Sequence, residues 1–345
     1  MAYTTINKSS SFMNTVLYTG NGSTQSITGV GFQPDMTWIK SRTGGYHHYA
    51  FDVIRGVKKW LSPSQTTTET SQDPSLNTFD ADGFSLGAWD NINENAYNKV
   101  SWNWKAGTTG SGTTTGSGTG KAYSYSVNTT AGFSIVKFIG NGTAGHTIPH
   151  HLGTTPHFII VKGIDLAEEW ETYHHGIGNN ISVKINNNST GDTGAGRWNS
   201  TTPTSTVFTL GNANATNKDG TNFIAYCFAE KTGYSKFGKY TGNGNADGTF
   251  VYTGFKPSLV AYKNTTQSDE WFVKDNQRPG HNPTDLMFWS ASNAEVTNLD
   301  RMNIFSNGFK ATTTDKGANA SGDTYIYIAF GQSIVGTNST PTTAF

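Results

Sequence analysis

Leu17-Tyr18-Thr19-Gly20-Asn21-Gly22, followed by Gly31-Phe32-Gln33-Pro34 and Trp38-Ile39-Lys40, is a phrase that the chain uses three times. It returns as Phe138-Ile139-Gly140-Asn141-Gly142 with Pro156 and Ile160-Val161-Lys162. It returns again as Tyr240-Thr241-Gly242-Asn243-Gly244 with Gly254-Phe255-Lys256-Pro257 and Ala261-Tyr262-Lys263. In every copy the lysine stands six residues after the proline. Eight residues after the lysine come Trp170 and Trp271, each preceded by glutamate, and twelve after it come Asp52, His174 and Asp275. Each copy closes on an apolar strand: Val100-Ser101-Trp102-Asn103-Trp104, residues 223–228, and residues 325–330. Self-similarity of this kind marks tandem structural units.

One copy reads as a strand running into a Gly-Asn-Gly turn, where glycine and asparagine accept positive φ. Proline then opens the next strand, where its missing N–H does least harm. The stretch from proline to lysine is apolar and suits a central strand. No amphipathic helix interrupts the pattern; residues 55–61 and 284–290 are candidates for short peripheral helices. The expected fold is all-β, three tandem related β-sandwich (jelly-roll-like) repeats. A closed ring of three sheets sharing one core is the competing arrangement.

The first two Gly-Asn-Gly phrases are 120 residues apart (140 − 20) and the last two 102 apart (242 − 140). The excess lies in residues 107–120, a Gly/Thr/Ser run with the composition of a flexible linker. The expected division is an N-terminal arm (1–15), repeat one (16–106), linker and lead-in strand (107–131), repeat two (132–232), repeat three (233–332) and a C-terminal tail (333–345). Repeat one is expected to move independently of a packed pair formed by repeats two and three.

Composition excludes several classes of function. Lys plus Arg equals Asp plus Glu at 24 each, so no net field attracts nucleic acid or anionic membrane. Charged residues are 14% of the chain, against about 25% in average soluble proteins. No apolar run approaches the length of a membrane span, and residues 1–14 lack a signal-peptide core. The one cysteine, Cys227, lies in an apolar strand and reads as an inert core thiol.

Motifs that suggest chemistry fail on context. Gly83-Phe84-Ser85-Leu86-Gly87 matches a nucleophile elbow, but no helix-forming segment follows it. The adjacent pairs His47/His48, His150/His151 and His174/His175 point to opposite faces of a strand and make poor chelates. Residues 243–248 resemble the start of a calcium loop but lack its closing glutamate. No catalytic residue, metal site or cofactor is therefore expected. What remains is aromatic and amide chemistry: Trp170, Trp271, Trp89 and Trp198 sit among Asn, Thr and Gly, and exposed rings of this kind stack on sugars. Core filling is the competing role for each ring.

Several of these stretches resemble repeat-containing tail-fibre or structural proteins of marine tailed bacteriophages, which carry a domain of unknown function. The residues concerned are Gly-Phe-Gln-Pro-Asp-x-x-Trp-Ile-Lys at 31–40, Asp82-Gly83-Phe84-Ser85-Leu86-Gly87, Trp102-Asn103-Trp104-Lys105-Ala106, residues 205–211, residues 225–230, and Gly233-Tyr234-Ser235-Lys236-Phe237-Gly238. The resemblance covers nearly everything but the arms and linker, and brings no catalytic or binding residues with it. It implies a virion protein made in the bacterial host cytoplasm, either a tail fibre or adhesin, or a capsid decoration or head fibre; a polysaccharide depolymerase is the third reading, against which stands the lack of a credible acid or nucleophile set. The expected partners are further copies of itself (a trimer among the options), other virion proteins and a host surface glycan. Tyr3, Ile6 and Phe12 in the N-terminal arm are the expected assembly contacts.

Overall fold

The computed structural model describes residues 3–335 except Pro279, Thr284 and Asn298; the tail expected beyond residue 335 lies outside the described residues. The chain is almost wholly antiparallel β. In repeat one the opening strand Met13–Thr19 pairs with the closing strand Asn98–Trp104. That strand pairs with the proline-to-lysine strand Met36–Ser41, which pairs with Tyr49–Asp52. The same order recurs as Phe133–Ile139, Asn222–Phe228, Phe158–Gly163, Glu171–His174 and as Ser235–Thr241, Thr324–Gln332, Lys256–Asn264, Trp271–Asp275. A second, three-stranded sheet backs each: Gln25–Ile27 with Gly83–Leu86 and Leu76–Asp80, and, in repeat three, Phe250–Tyr252 with Gly308–Ala311 and Met302–Phe305. In repeat two, His146–Pro149 pairs with Val207–Leu210 on one side and Thr115–Gly116 on the other.

Each sheet pair encloses its own core, for example Ile27, Phe51, Phe84 and Leu86 in repeat one and Val136, Phe208 and Phe223 in repeat two. Alternate residues of the larger sheets point the other way. There Trp38, Trp102 and Trp104 meet Phe158, Tyr226 and Phe228 and then Leu259, Ile328 and Phe330 in one shared core. Both sequence alternatives are therefore present together: three sandwiches, arranged as a ring around a common centre. Ladder register puts Trp104, Phe228 and Phe330 at one equivalent position. Their ring centroids lie 6.2, 6.1 and 5.8 Å apart pairwise, marking a pseudo-threefold axis.

Polar side chains close the ring in one cyclic sense. At the position eight after the lysine, His48 donates through Nε2 to Phe288 O (2.7 Å), Trp170 donates through Nε1 to Ser62 O (2.9 Å), and Trp271 to Lys184 O (2.8 Å). His48 Nδ1 is then left to accept from Trp38 Nε1 at 2.8 Å, which fixes a neutral tautomer. The repeat lysines, one residue from the strand end, do likewise. Lys40 reaches Ser292 O, Lys162 reaches Thr66 O and Lys263 reaches Asn187 O, each in a neighbouring repeat. Burial lowers these ammonium groups to about 7, about 8 and about 8.

Twelve after the lysine, Asp52 accepts from Tyr226 Oη (2.7 Å) and Asp275 from Trp102 Nε1 (3.1 Å). The third equivalent of Tyr226 and Trp102 is Ile328, which has no donor. Opposite it the carboxylate is replaced by His174, whose Nε2 donates to the backbone Tyr327 O at 3.1 Å. The arginines that neutralise Asp52 and Asp275, Arg55 (2.5 Å) and Arg278 (2.6 Å), are likewise replaced in repeat two by Ile177. A buried carboxylate without donor or cation is costly, and all three changes fall together.

The Gly-Asn-Gly phrases do not form the expected free hairpin turns. Each is docked on a buried asparagine: Asn93, Asn217 or Asn319. Its Oδ1 accepts the amide of Asn21, Asn141 or Asn243 at 3.1, 3.0 and 3.0 Å. Its Nδ2 donates to Gly87 O, Gly211 O or Thr313 O at 2.9, 2.7 and 2.9 Å. A Cβ at Gly20, Gly140 or Gly242 would collide with the carbonyl of Glu94, Lys218 or Ala320, so the first glycine is set by close approach. The two single-turn helices, Asp90–Asn93 and Asn214–Asn217, serve to deliver this asparagine. The helix expected over 55–61 is absent because Arg55 is drawn into its ion pair and Lys59–Trp60 forms a strand. In the region 284–290 the described residues include the strand Met287–Phe288 and no helix.

Residues 107–120 depart most from expectation. Thr108–Thr113 pairs with Ala122–Asn128, which pairs with Phe133–Ile139, so the segment is a hairpin widening the sheet of repeat two. Its small residues answer a packing need: a Cβ on Gly110 would sit 2.6 Å from Tyr125 Oη, and on Gly112 2.8 Å from Tyr123 Oη. Repeat one is tied to it through Asp35, which accepts from Ala106 N (2.9 Å) and Ser126 Oγ (3.3 Å).

Two substitutions test this architecture. Asn217→Ala strands Asn141 N and Gly211 O without partners and should cost about 2–4 kcal/mol in urea unfolding. His174→Asp places an uncompensated carboxylate beside Ile328 and should cost about 3–5 kcal/mol. Adding Ile177→Arg to it should recover part of the loss; an unchanged midpoint for either single variant would contradict the assignment.

Candidate interaction site

The ring has three seams, and they are built differently. The residue after the repeat proline faces each one: Asp35, His157 and Ser258. At the first seam, the added strand Ala122–Asn128 covers the edge of Phe133–Ile139, and its Ser126 is held by Asp35. At the second, His175 donates through Nε2 to Phe237 O (2.7 Å) on the edge strand of repeat three, with His157 packed against the His175 ring at 4.8 Å. At the third, Ser258 and Asn276 face Met13, Asn14 and Thr15 across a cleft of about 300 Å³. Thr15 is 7% exposed and its Oγ1 has no hydrogen-bond partner.

Phe305 and Ile334 also line this cleft and continue onto an aromatic face. Phe250, Tyr252, Phe305 and Tyr3 are 45, 58, 41 and 44% exposed, and Phe250 meets Phe305 edge-on at 6.2 Å. Tyr3 Oη donates to Gly254 O at 3.0 Å, which carries the N-terminal segment onto this face. Register places Ser26, Thr28 and Asp80 of repeat one, and Thr147 and Pro149 of repeat two, where repeat three has these rings. Among the described residues, repeat three thus carries exposed aromatics at solvent-facing strand positions where the other repeats have small or polar side chains. Nothing in the shared motifs pointed to this face, because it lies where the repeats differ.

The sugar-stacking expectation is corrected for three of its four residues. Trp170, Trp271 and Trp198 are 1, 0 and 1% exposed: the first two fill the core shared by the ring, which a chain of separate sandwiches would lack, and Trp198 fills the sandwich core of repeat two against Tyr173. Trp89 alone is half-buried, stacked on Trp60 at 5.6 Å. Of the expected arm contacts, Ile6 is buried in the shared core and Phe12 packs on Tyr234 at 6.2 Å, so both are taken up by the chain itself. Ser9 N donates to Gln332 Oε1 at 2.7 Å, joining the two ends of the described chain. Tyr3 remains accessible.

The motif residues that suggested chemistry are engaged internally. Ser85 lies in a strand and bonds Thr78 Oγ1 at 2.5 Å. His146 lies between Asn217 Oδ1 (2.9 Å) and Thr114 Oγ1 (2.7 Å). In 243–248 the Asn243 and Asn245 side chains accept from the loop's own amides. Among the described residues no three His, Cys, Asp or Glu side chains gather as a metal site, and no helix is long and apolar enough to cross a membrane.

Burial holds seven of the nine histidines below their usual value, His174 to about 3 and His150 to about 4. The folded chain keeps them neutral while the unfolded chain binds protons from about 6.5 downward, so stability falls on acidification through that window. The repeat lysines, lowered in the folded state, act in the same sense between about 7 and about 10.5, where raising the pH stabilises. Above about 10 the buried tyrosines, raised by burial (Tyr18, Tyr240), reverse the trend. Asp35 and Glu171, also raised by burial, oppose the histidines once the pH falls into the range where those carboxyls take up protons. The urea midpoint should therefore peak near pH 9–10, not at neutrality, and His174→Gln should flatten its acid limb.

No curated protein and no solved structure matches the chain. A family model, Domain of unknown function (DUF7483), matches residues 8–333, from the segment beneath the third seam to the end of the last closing strand. The repeats, the ring they close and the seams between them thus lie within a single family unit, and the chain belongs to the DUF7483 family.

Proposed function

We propose that the chain is a non-enzymatic structural protein of a tailed-phage particle, exposed on its surface and held among copies of itself or other particle proteins. The observation that carries this reading is the way polar groups are used. His48, Lys162 and Asp52 are bonded between repeats, while the exposed specialised surface is aromatic. The motif resemblance described above supports the phage setting. Mass spectrometry and antibody labelling of purified particles should find the protein at stoichiometric copy number; its absence from washed particles would refute the reading.

A second reading, host-glycan recognition, is favoured by Tyr252, Phe305 and Tyr3, whose rings are open to solvent beside the hydroxyls and amides of repeat three. Retardation in native gels containing host surface polysaccharide should then weaken about tenfold in a Tyr252→Ala/Phe305→Ala variant. Unchanged migration of both proteins would remove it.

A further inference from the structure

The three seams are the same place seen three times, and among the described residues only the third is unfilled. At the first seam a strand, Ala122–Asn128, lies along the edge of Phe133–Ile139, with Ser126 opposite Ile135. The residue equivalent to Ile135 in repeat one is Thr15, in the opening strand Met13–Thr19, which is an edge strand of its sheet. The residue equivalent to Asp35, which grips that added strand, is Ser258, and the one equivalent to Val53 is Asn276. Ser258, Asn276 and Thr15 all line the third cleft, and Thr15 Oγ1 is buried there without a partner. At the second seam His175 and His157 occupy the corresponding space, so that edge is blocked.

We infer that the third seam is a strand-acceptor site, which binds an extended, uncharged polypeptide strand rich in small hydroxyl residues, supplied by a partner in the assembled particle. The strand adds to the edge of Met13–Thr19 as Ala122–Asn128 adds to its equivalent, with backbone bonds giving affinity. The chemistry of the partner follows from the walls. Among the described residues that line the cleft Lys256 is the one with a charge, and the rest is hydroxyl, amide and apolar surface. The strand already seated at the first seam, Ala-Tyr-Ser-Tyr-Ser-Val-Asn, has that same uncharged, hydroxyl-bearing character. This inference rests on the assembly reading above and gives it a point of attachment.

The test uses the full chain and a fluorescein-labelled peptide with the sequence of residues 122–128. Anisotropy should rise saturably, and binding should weaken at least tenfold in Asn276→Trp, a half-exposed position where bulk fills the cleft. Should that variant misfold, Ser10→Trp on the opposite wall serves the same end. No saturable binding, or equal binding of a control peptide with both serines replaced by proline, or equal binding by both variants, would overturn the inference. Binding that appears only after removal of residues 336–345 would also overturn it, by making the chain's own end the occupant. Protein found in particles but deaf to the peptide defeats this inference alone; protein missing from particles defeats the assembly reading and leaves the peptide result intact.

Discussion

The structure depends on one constraint: the closing strand of every repeat is buried on both faces. In Asn222–Phe228, residues 223, 225 and 227 face the sandwich core while 224, 226 and 228 face the shared core. Strand alternation makes those two duties separable. It also means that no repeat can leave the ring without exposing a face of Trp, Tyr, Ile and Phe. The exchange of hydrogen bonds between neighbours follows from this, because buried polar atoms at such a face meet the atoms of the next repeat.

Much of the single repeat was legible in the sequence. The proline-to-lysine spacing located a central strand, and the closing apolar strands fell where expected. Their relation to one another was not legible, because a sequence pattern shows that a face is apolar without showing what covers it. Trp170 and Trp271 illustrate this: the same indole suits a sugar or a neighbouring repeat, and only closure of the ring decides. Residues 107–120 failed for a different reason. Glycine and serine are read as flexibility, yet here they are what allows a backbone to cross Tyr123 and Tyr125. Ile6 was invisible as a core residue because the core it joins is assembled from all three repeats.

Repeat two is where symmetry was relaxed. It exchanges a buried ion pair for His174 and Ile177, receives an extra hairpin at one edge, and seals the other with histidine rings. Repeat three instead turns its solvent-facing strand positions aromatic. Divergence is therefore concentrated at seams and outer faces, while the asparagine that locks each Gly-Asn-Gly phrase is kept in all three.

The order of synthesis gives the ring a temporal asymmetry. Trp102 waits for Asp275, 173 residues later, and the amide of Ser9 waits for Gln332, 323 residues later. Until repeats two and three follow, the face of repeat one that carries Trp38, Trp102 and Trp104 lacks its cover. Contacts this distant slow folding and lengthen exposure of the chain. The nascent chain therefore carries open apolar surface through most of its synthesis, and slower translation lengthens that exposure.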